Sequence, residues 1–252
     1  MSQIQACLIL FLAVILLTEG CDRDRRGTGS GPDLHWAALT GDELLAKRLI
    51  AEGADVNKYD SHGRTTPLGV ACEQKHMRII ELLLERGADV NKGAPLYCAA
   101  NQGHFDIVKL LLDKGADPNR YRVEGIPSPV LAAVRRGNVE VLKLLVARGA
   151  EVPEVRGDGN LIREAAVLGR KDMVELLLSY GHDCDRKDSD GCTPLWLAAR
   201  GGFENVVEIL AAKGADVNAH DNKGRSAAGI AAEGGHAAAA DLLRRLATKE
   251  AE

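Results

Sequence analysis

Aromatic residues are scarce in this 252-residue chain, at 4 % of the total beside 46 % hydrophobic residues. A core poor in rings and rich in Ala and Leu suits closely packed helices better than a sheet sandwich. Positive charge is not in excess either. Lys and Arg number 32 against 36 Asp and Glu, leaving a net charge of -4. No basic field is available to hold a phosphate backbone, so nucleic acid is not an expected partner. No Gly-x-Ser-x-Gly, phosphate loop or dinucleotide fingerprint occurs, and the six cysteines include no Cys-x-x-Cys pair. The expectation is a chain that is not an enzyme and takes no cofactor or metal.

The first residues also lack something, since Met1 to Gln5 hold no Lys or Arg. They precede an apolar run from Ala6 to Leu17. As a helix that run spans roughly 18 Å, short of the ~30 Å hydrocarbon thickness of a bilayer. It fits the apolar region of a signal peptide better than a membrane span. Thr18 and Gly20 then supply small residues before Cys21. A Cys in that place resembles the bacterial lipoprotein signal, in which the Cys is lipidated and becomes the new N-terminus. The resemblance implies lipidation at Cys21, and Asp22 resembles the signal retaining such proteins at the inner membrane. Thr18 stands where that signal has Leu, and Glu19 is a departure from it. A plainly cleaved signal and an uncleaved anchor are the alternatives. With Arg23, Arg25 and Arg26 after the run, an uncut anchor would leave the rest in the cytoplasm. Residues 1–20 are thus read as signal or anchor, and 21–31 as a flexible tether containing Gly27, Gly29 and Gly31. The expected location is the periplasmic side of the inner membrane, or export; the alternative is cytoplasmic.

Beyond the tether the sequence repeats itself. Ala37, Ala71, Ala99, Ala133, Ala165, Ala198 and Ala231 recur at intervals of 34, 28, 34, 32, 33 and 33 residues. Gly53-Ala54, Gly87-Ala88, Gly115-Ala116, Gly149-Ala150, Gly181-His182 and Gly214-Ala215 keep step with them. A period near 33 with two helices per unit belongs to a stacked repeat. The second unit reads Thr66-Pro67-Leu68, then Ala71, and closes on Gly87-Ala88-Asp89-Val90-Asn91. The sixth reads Asp188-Ser189-Asp190-Gly191-Cys192-Thr193-Pro194-Leu195 and closes on Gly214-Ala215-Asp216-Val217-Asn218.

These motifs resemble the ankyrin repeat family over residues 32 to about 247. The resemblance implies an all-α repeat solenoid of seven helix-turn-helix pairs joined by β-hairpin fingers, with 248–252 as a tail. Local chemistry agrees. Thr caps the N–H groups that open a helix, and Pro at the first turn has no N–H to leave unsatisfied. The second helix of a unit should bury a stripe such as Ile80, Leu83 and Leu84. Gly87 accepts the left-handed conformation that ends that helix. Arg244, Arg245, Lys249 and Glu250 give the last unit the polar face of a terminal cap.

Three departures stand out. Unit three lacks the Asp-x-x-Gly turn, because Asn91-Lys92-Gly93-Ala94 runs almost directly into Pro95, so its finger should be short. Unit five replaces Thr-Pro-Leu with Asn160-Leu161-Ile162 and is expected to lose its cap and fray. Unit two carries Lys75 where a Gly usually sits between the helices.

Histidines and cysteines mostly fall on scaffold positions. His76, His104 and His236 occupy inter-helix turns, where an imidazole can bridge backbone groups of adjacent units. His182-Asp183-Cys184-Asp185 with Asp188, Asp190 and Cys192 is the one chemical-looking cluster. Its spacing matches neither a zinc nor a calcium site, and the turn motif accounts for it. Cys72 and Cys98 read as buried small apolar residues, with a disulfide between them left open.

The family resemblance implies protein binding on the concave face, through the finger tips and the two residues after Ala-Ala in each first helix. Those pairs are Leu39-Thr40, Glu73-Gln74, Asn101-Gln102, Arg135-Arg136, Val167-Leu168, Arg200-Gly201 and Glu233-Gly234. The fingers add Tyr59, His62, Tyr121, Arg122, Lys187, His220 and Lys223. Val167 and Leu168, exposed between Arg136 and Arg200, would receive an apolar knob beside acidic groups. The alternative has unit five degenerate and both residues covered by a shifted helix. The functional expectation is a monomeric, non-catalytic scaffold of the cell envelope. Its rivals are a protein steadying a periplasmic enzyme, a secreted effector binding host proteins, and a metal-handling protein built on Cys184 and Cys192.

Overall fold

The computed structural model describes residues 33–120, 128–152 and 160–249. The expected signal, tether, lipidation site at Cys21 and last tail residues lie outside them, as do Tyr121 and Arg122.

Among the described residues the chain forms fourteen helices in seven antiparallel pairs. The pairs are α1 (Leu34–Thr40) with α2 (Glu43–Ala51), α3 (Pro67–Gln74) with α4 (Met77–Glu85), and α5 (Pro95–Gln102) with α6 (Phe105–Asp113). They continue with α7 (Pro129–Arg136) and α8 (Val139–Ala147), then α9 (Leu161–Val167) and α10 (Lys171–Ser179). The last are α11 (Pro194–Arg200) with α12 (Glu204–Ala212), and α13 (Ala227–Glu233) with α14 (Ala237–Lys249). Odd-numbered helices pack on their neighbours to form an inner row, and even-numbered helices form an outer row behind it. This is the expected all-α solenoid.

The core lies between the rows. Ala37, Ala71, Ala99, Ala133, Ala165, Ala198 and Ala231 are all fully buried. A methyl group at those positions lets inner helices approach; a larger one would drive them apart. Outer helices bury a recurring stripe: Ile79, Ile80 and Leu83; Ile107, Val108 and Leu111; Val141, Leu142 and Leu145; Met173, Val174 and Leu177. Leu84, expected in that stripe, is only half-buried, and Ile79 takes its place. Burying one such aliphatic side chain contributes about 1.5–3 kcal/mol. At the far end α14 presents Arg244 and Arg245 to solvent and pairs Arg244 with Asp241 at 2.6 Å.

Side-chain caps open most inner helices. Thr66, Ser128, Thr193 and Ser226 accept from the N–H three residues on, at 3.4, 3.0, 3.2 and 3.1 Å. Asn160 does the same for α9, accepting from Ile162 and Arg163 at 3.1 and 3.4 Å. The expected loss of a cap in unit five is therefore wrong: Asn is as good a cap as Thr, and only the Pro is missing. The backbone exception in this row is Ala94, which opens α5 with φ 54 and makes no side-chain cap. Lys75 ends α3 with φ 61, in the left-handed region where a side chain costs roughly 1–2 kcal/mol.

The described fingers are tight hairpin turns that do not extend into strands. No strand occurs among the described residues; main-chain bonds cross the fingers from Asp60 N–H to the Thr65 carbonyl at 2.9 Å, Asp188 N–H to Cys192 at 3.1 Å and Asp221 N–H to Arg225 at 3.1 Å, beside an antiparallel bridge between His220 and Ser226. Asp side chains reinforce these turns. Asp60 accepts from the N–H groups of His62 and Arg64, Asp188 from Asp190 and Cys192, and Asp221 from Lys223 and Arg225. Donors satisfied by a side chain within four residues are lost to a strand ladder.

Candidate functional site

Adjacent units are tied together along the edge near the fingers by an amide ladder. Asn57 donates to the Gly87 carbonyl at 3.2 Å and accepts from the Asp89 N–H at 2.8 Å. Asn91 makes the same two bonds to Gly115 and Asp117, and Asn119 to Gly149 and Glu151. At the opposite edge, the imidazole Nε2 of His76 lies 3.2 Å from the Leu39 carbonyl, and that of His104 lies 3.2 Å from the Glu73 carbonyl. Asn138 fills the equivalent role toward Ala100 at 3.1 Å. These bonds fix the angle between repeats, and so the curvature of the surface the inner row presents.

On that surface Val167 and Leu168 are 38 % and 41 % exposed. No shifted helix covers them; Leu168 is the C-cap of α9 and stands beyond its last turn. Arg136 precedes them by one repeat and Arg200 follows by one, both exposed. Arg136 donates from Nε to the Asn101 side-chain oxygen at 3.2 Å. Arg200 lies over the buried Trp196 ring at 5.5 Å. Arg135 has a different fate: its Nε and Nη2 donate to the two Glu164 oxygens at 3.0 and 3.1 Å, bridging two repeats.

The finger candidates are more scattered. Tyr59 is 38 % exposed, with the Lys92 ammonium 5.1 Å from its ring. His62, Lys187, His220 and Lys223 are all exposed. His236 packs over Gly202 rather than forming the expected backbone bridge: a Cβ added there would lie 2.4 Å from its Nδ1.

Among the described residues no group of His, Cys, Asp and Glu is placed to hold a metal ion. Burial pushes the thiol of Cys98 up to about 12, that of Cys192 up to about 11, and those of Cys72 and Cys184 above the ordinary range. Such thiols stay protonated at neutral pH and are poor nucleophiles. Cys72 is fully buried and Cys98 half-buried, and both are free thiols here.

Sequence reading missed the cross-repeat pairs. Arg148 reaches Asp113 at 2.6 Å, and Arg135 reaches Glu164, in each case about one repeat length away. Opposite charges separated by one repeat were the available signal. Asp42, read from sequence with Glu43 as part of a solvated helix face, instead caps α2 by accepting from Leu45 at 2.9 Å.

Family models described as "Ankyrin repeats (3 copies)" and "Ankyrin repeat" match residues 34–122 and 161–251, and 128–158, respectively. The chain belongs to the ankyrin repeat family. It is similar to the crystal structure of the human ASB11 ankyrin repeat domain, with a TM-score of 0.73 and 31 % identity over 86 % of this chain and 98 % of that one. It is 38 % identical over 78 residues to human Transient receptor potential cation channel subfamily A member 1, covering 31 % of this chain and 6 % of that protein. It is 41 % identical over 56 residues to human Palmitoyltransferase ZDHHC13, covering 22 % of this chain and 9 % of that one. The chain thus spans under a tenth of the length of these curated relatives. An ankyrin stack is an interaction module, and a protein partner is what it implies.

Proposed function

We propose that this ankyrin stack is a non-catalytic scaffold of the cell envelope that holds a protein partner on its concave face. The exposed Val167–Leu168 pair between Arg136 and Arg200 carries the reading. Exposed apolar side chains mark contact patches, and arginine is enriched among the residues that carry binding energy. The partner offers an apolar side chain beside carboxylates. Binding of partner protein by the double variant Arg136→Ala, Leu168→Ala should weaken at least tenfold relative to wild type, with thermal unfolding unchanged because both side chains are exposed. Equal affinity of the two proteins refutes the proposed face.

The envelope assignment is supported by the apolar run ending at Cys21. Intact mass of the protein extracted from its host's membrane fraction tests it. The expected chain begins at Cys21 and carries diacylglycerol. An unlipidated chain starting there means plain export, and a mass retaining Met1 or Ser2 overturns the assignment.

A further inference from the structure

The arginines of this surface fall into two groups by what holds them. Arg135 is held by Glu164, Arg163 lies 3.8 Å from Asp188, and Arg225 is held by Asp221 at 2.8 Å. Their charge is neutralised within the stack. Arg136 and Arg200 are held by neutral groups, an Asn amide oxygen and an indole face. Neither has a carboxylate within ion-pair distance among the described residues. An amide or an aromatic face fixes where a guanidinium sits without cancelling its charge, and both residues are exposed. Each is also spared part of the ordering entropy that a loose arginine would lose on binding.

These two sit on α7 and α11, with α9 and its exposed Val167–Leu168 pair between them. We infer, building on the concave-face reading above, that Arg136 and Arg200 form a two-point clamp for an extended acidic segment of the partner protein, whose apolar side chain rests on Val167 and Leu168. Packed helices lie 8–10 Å apart, so two repeat steps separate the guanidiniums by roughly 16–20 Å. An extended chain rising about 3.3 Å per residue crosses that gap in about six residues. The segment therefore runs along the stack, across the inner helices, with carboxylates about six residues apart and an apolar residue between. A guanidinium takes a carboxylate through two parallel N–H bonds, which makes the spacing a selective feature.

The test uses the full chain and blocked Gly/Ser peptides carrying one Leu between two Glu residues placed three, six or nine positions apart. Binding is followed by backbone amide NMR up to millimolar peptide. Saturable shifts are expected around Arg136, Val167, Leu168 and Arg200, with the six-residue spacing at least threefold tighter than either other. Replacing both Glu by Gln should weaken binding about tenfold. Arg136→Gln or Arg200→Gln should each reduce the six-spaced peptide to the affinity of a single-Glu peptide, with thermal unfolding confirming that each variant folds. Indifference to spacing, equal binding of the Gln peptide, or no shift at these residues overturns the clamp. Shifts confined to another part of the stack overturn it too, yet leave the scaffold reading standing, which fails only if the double variant described above binds partner protein like wild type.

Discussion

Replacing Trp196 with Ala is expected to lower the unfolding free energy by about 3–5 kcal/mol, the range for emptying a large aromatic site in a core. Trp196 is 1 % exposed and is among the largest fully buried side chains. Its indole N–H donates to the Arg225 carbonyl at 3.0 Å, across the boundary between the sixth and seventh repeats. The Arg200 and Arg225 guanidiniums lie 5.5 and 5.4 Å from its ring. Truncation removes packing, takes one of two donors from the Arg225 carbonyl, which keeps the Asp221 N–H at 3.1 Å, and releases both cations at once. The seventh repeat has no further neighbour among the described helices, so this boundary supplies much of its stability. Urea denaturation followed by far-UV circular dichroism should show the loss, and hydrogen exchange in α13 and α14 should speed up more than in α3 and α4. Trp196→Phe should recover most of the packing and leave a deficit of about 1 kcal/mol from the missing N–H. A loss under about 1 kcal/mol for the Ala variant would show that this ring does not secure the end of the stack.

The helix pairs were readable in the sequence because each is specified locally: a cap, a Pro, a small-residue stretch and a terminal Gly recur at a fixed step. Exposure of Val167 and Leu168 was what the family resemblance implies for the two residues after Ala165-Ala166. What was not readable depends on groups one repeat apart. Asn57, Asn91 and Asn119 recur visibly, yet their bonds to the next repeat's carbonyl and N–H exist only once units are stacked. Arg135 looked as available to a partner as Arg136, and only the stacked geometry hands one to Glu164 and the other to Asn101. The fingers stay tight turns and do not grow into strands for an energetic reason. An Asp side chain closes each described Asp-x-x-Gly finger within four residues, and a local bond of that kind forms at a lower entropy cost than a strand ladder.

Gly93→Ala should destabilise the protein by roughly 3 kcal/mol, a large effect for a single methyl group. The short link between the second and third repeats, residues 86–94, has no room for a full finger. It turns back at Gly93 with φ 71 and presses on the start of α3. A Cβ there would lie 2.5 Å from the Thr66 backbone nitrogen and 2.8 Å from its Oγ1 and Cγ2. Two costs combine: left-handed backbone strain of roughly 1–2 kcal/mol, and overpacking of about 1–3 kcal/mol against atoms including a main-chain nitrogen that no rotamer change can move. The same contact holds Thr66 Oγ1 3.1 Å from the Lys92 carbonyl, so displacement also threatens the cap of α3. The inner helices α3 and α5 pack most closely of all neighbours, while α4 and α6 behind them touch least, leaving Phe105 40 % exposed. The boundary is thus held mainly from the inner side, where Gly93 lies. Equilibrium unfolding of the variant should broaden or split as the first two repeats uncouple from the rest, with faster exchange in α1 to α4 than in α11 to α14. A single transition at the wild-type midpoint would mean that the link yields without disturbing the inner row, and that the close approach at Thr66 contributes little to joining the repeats.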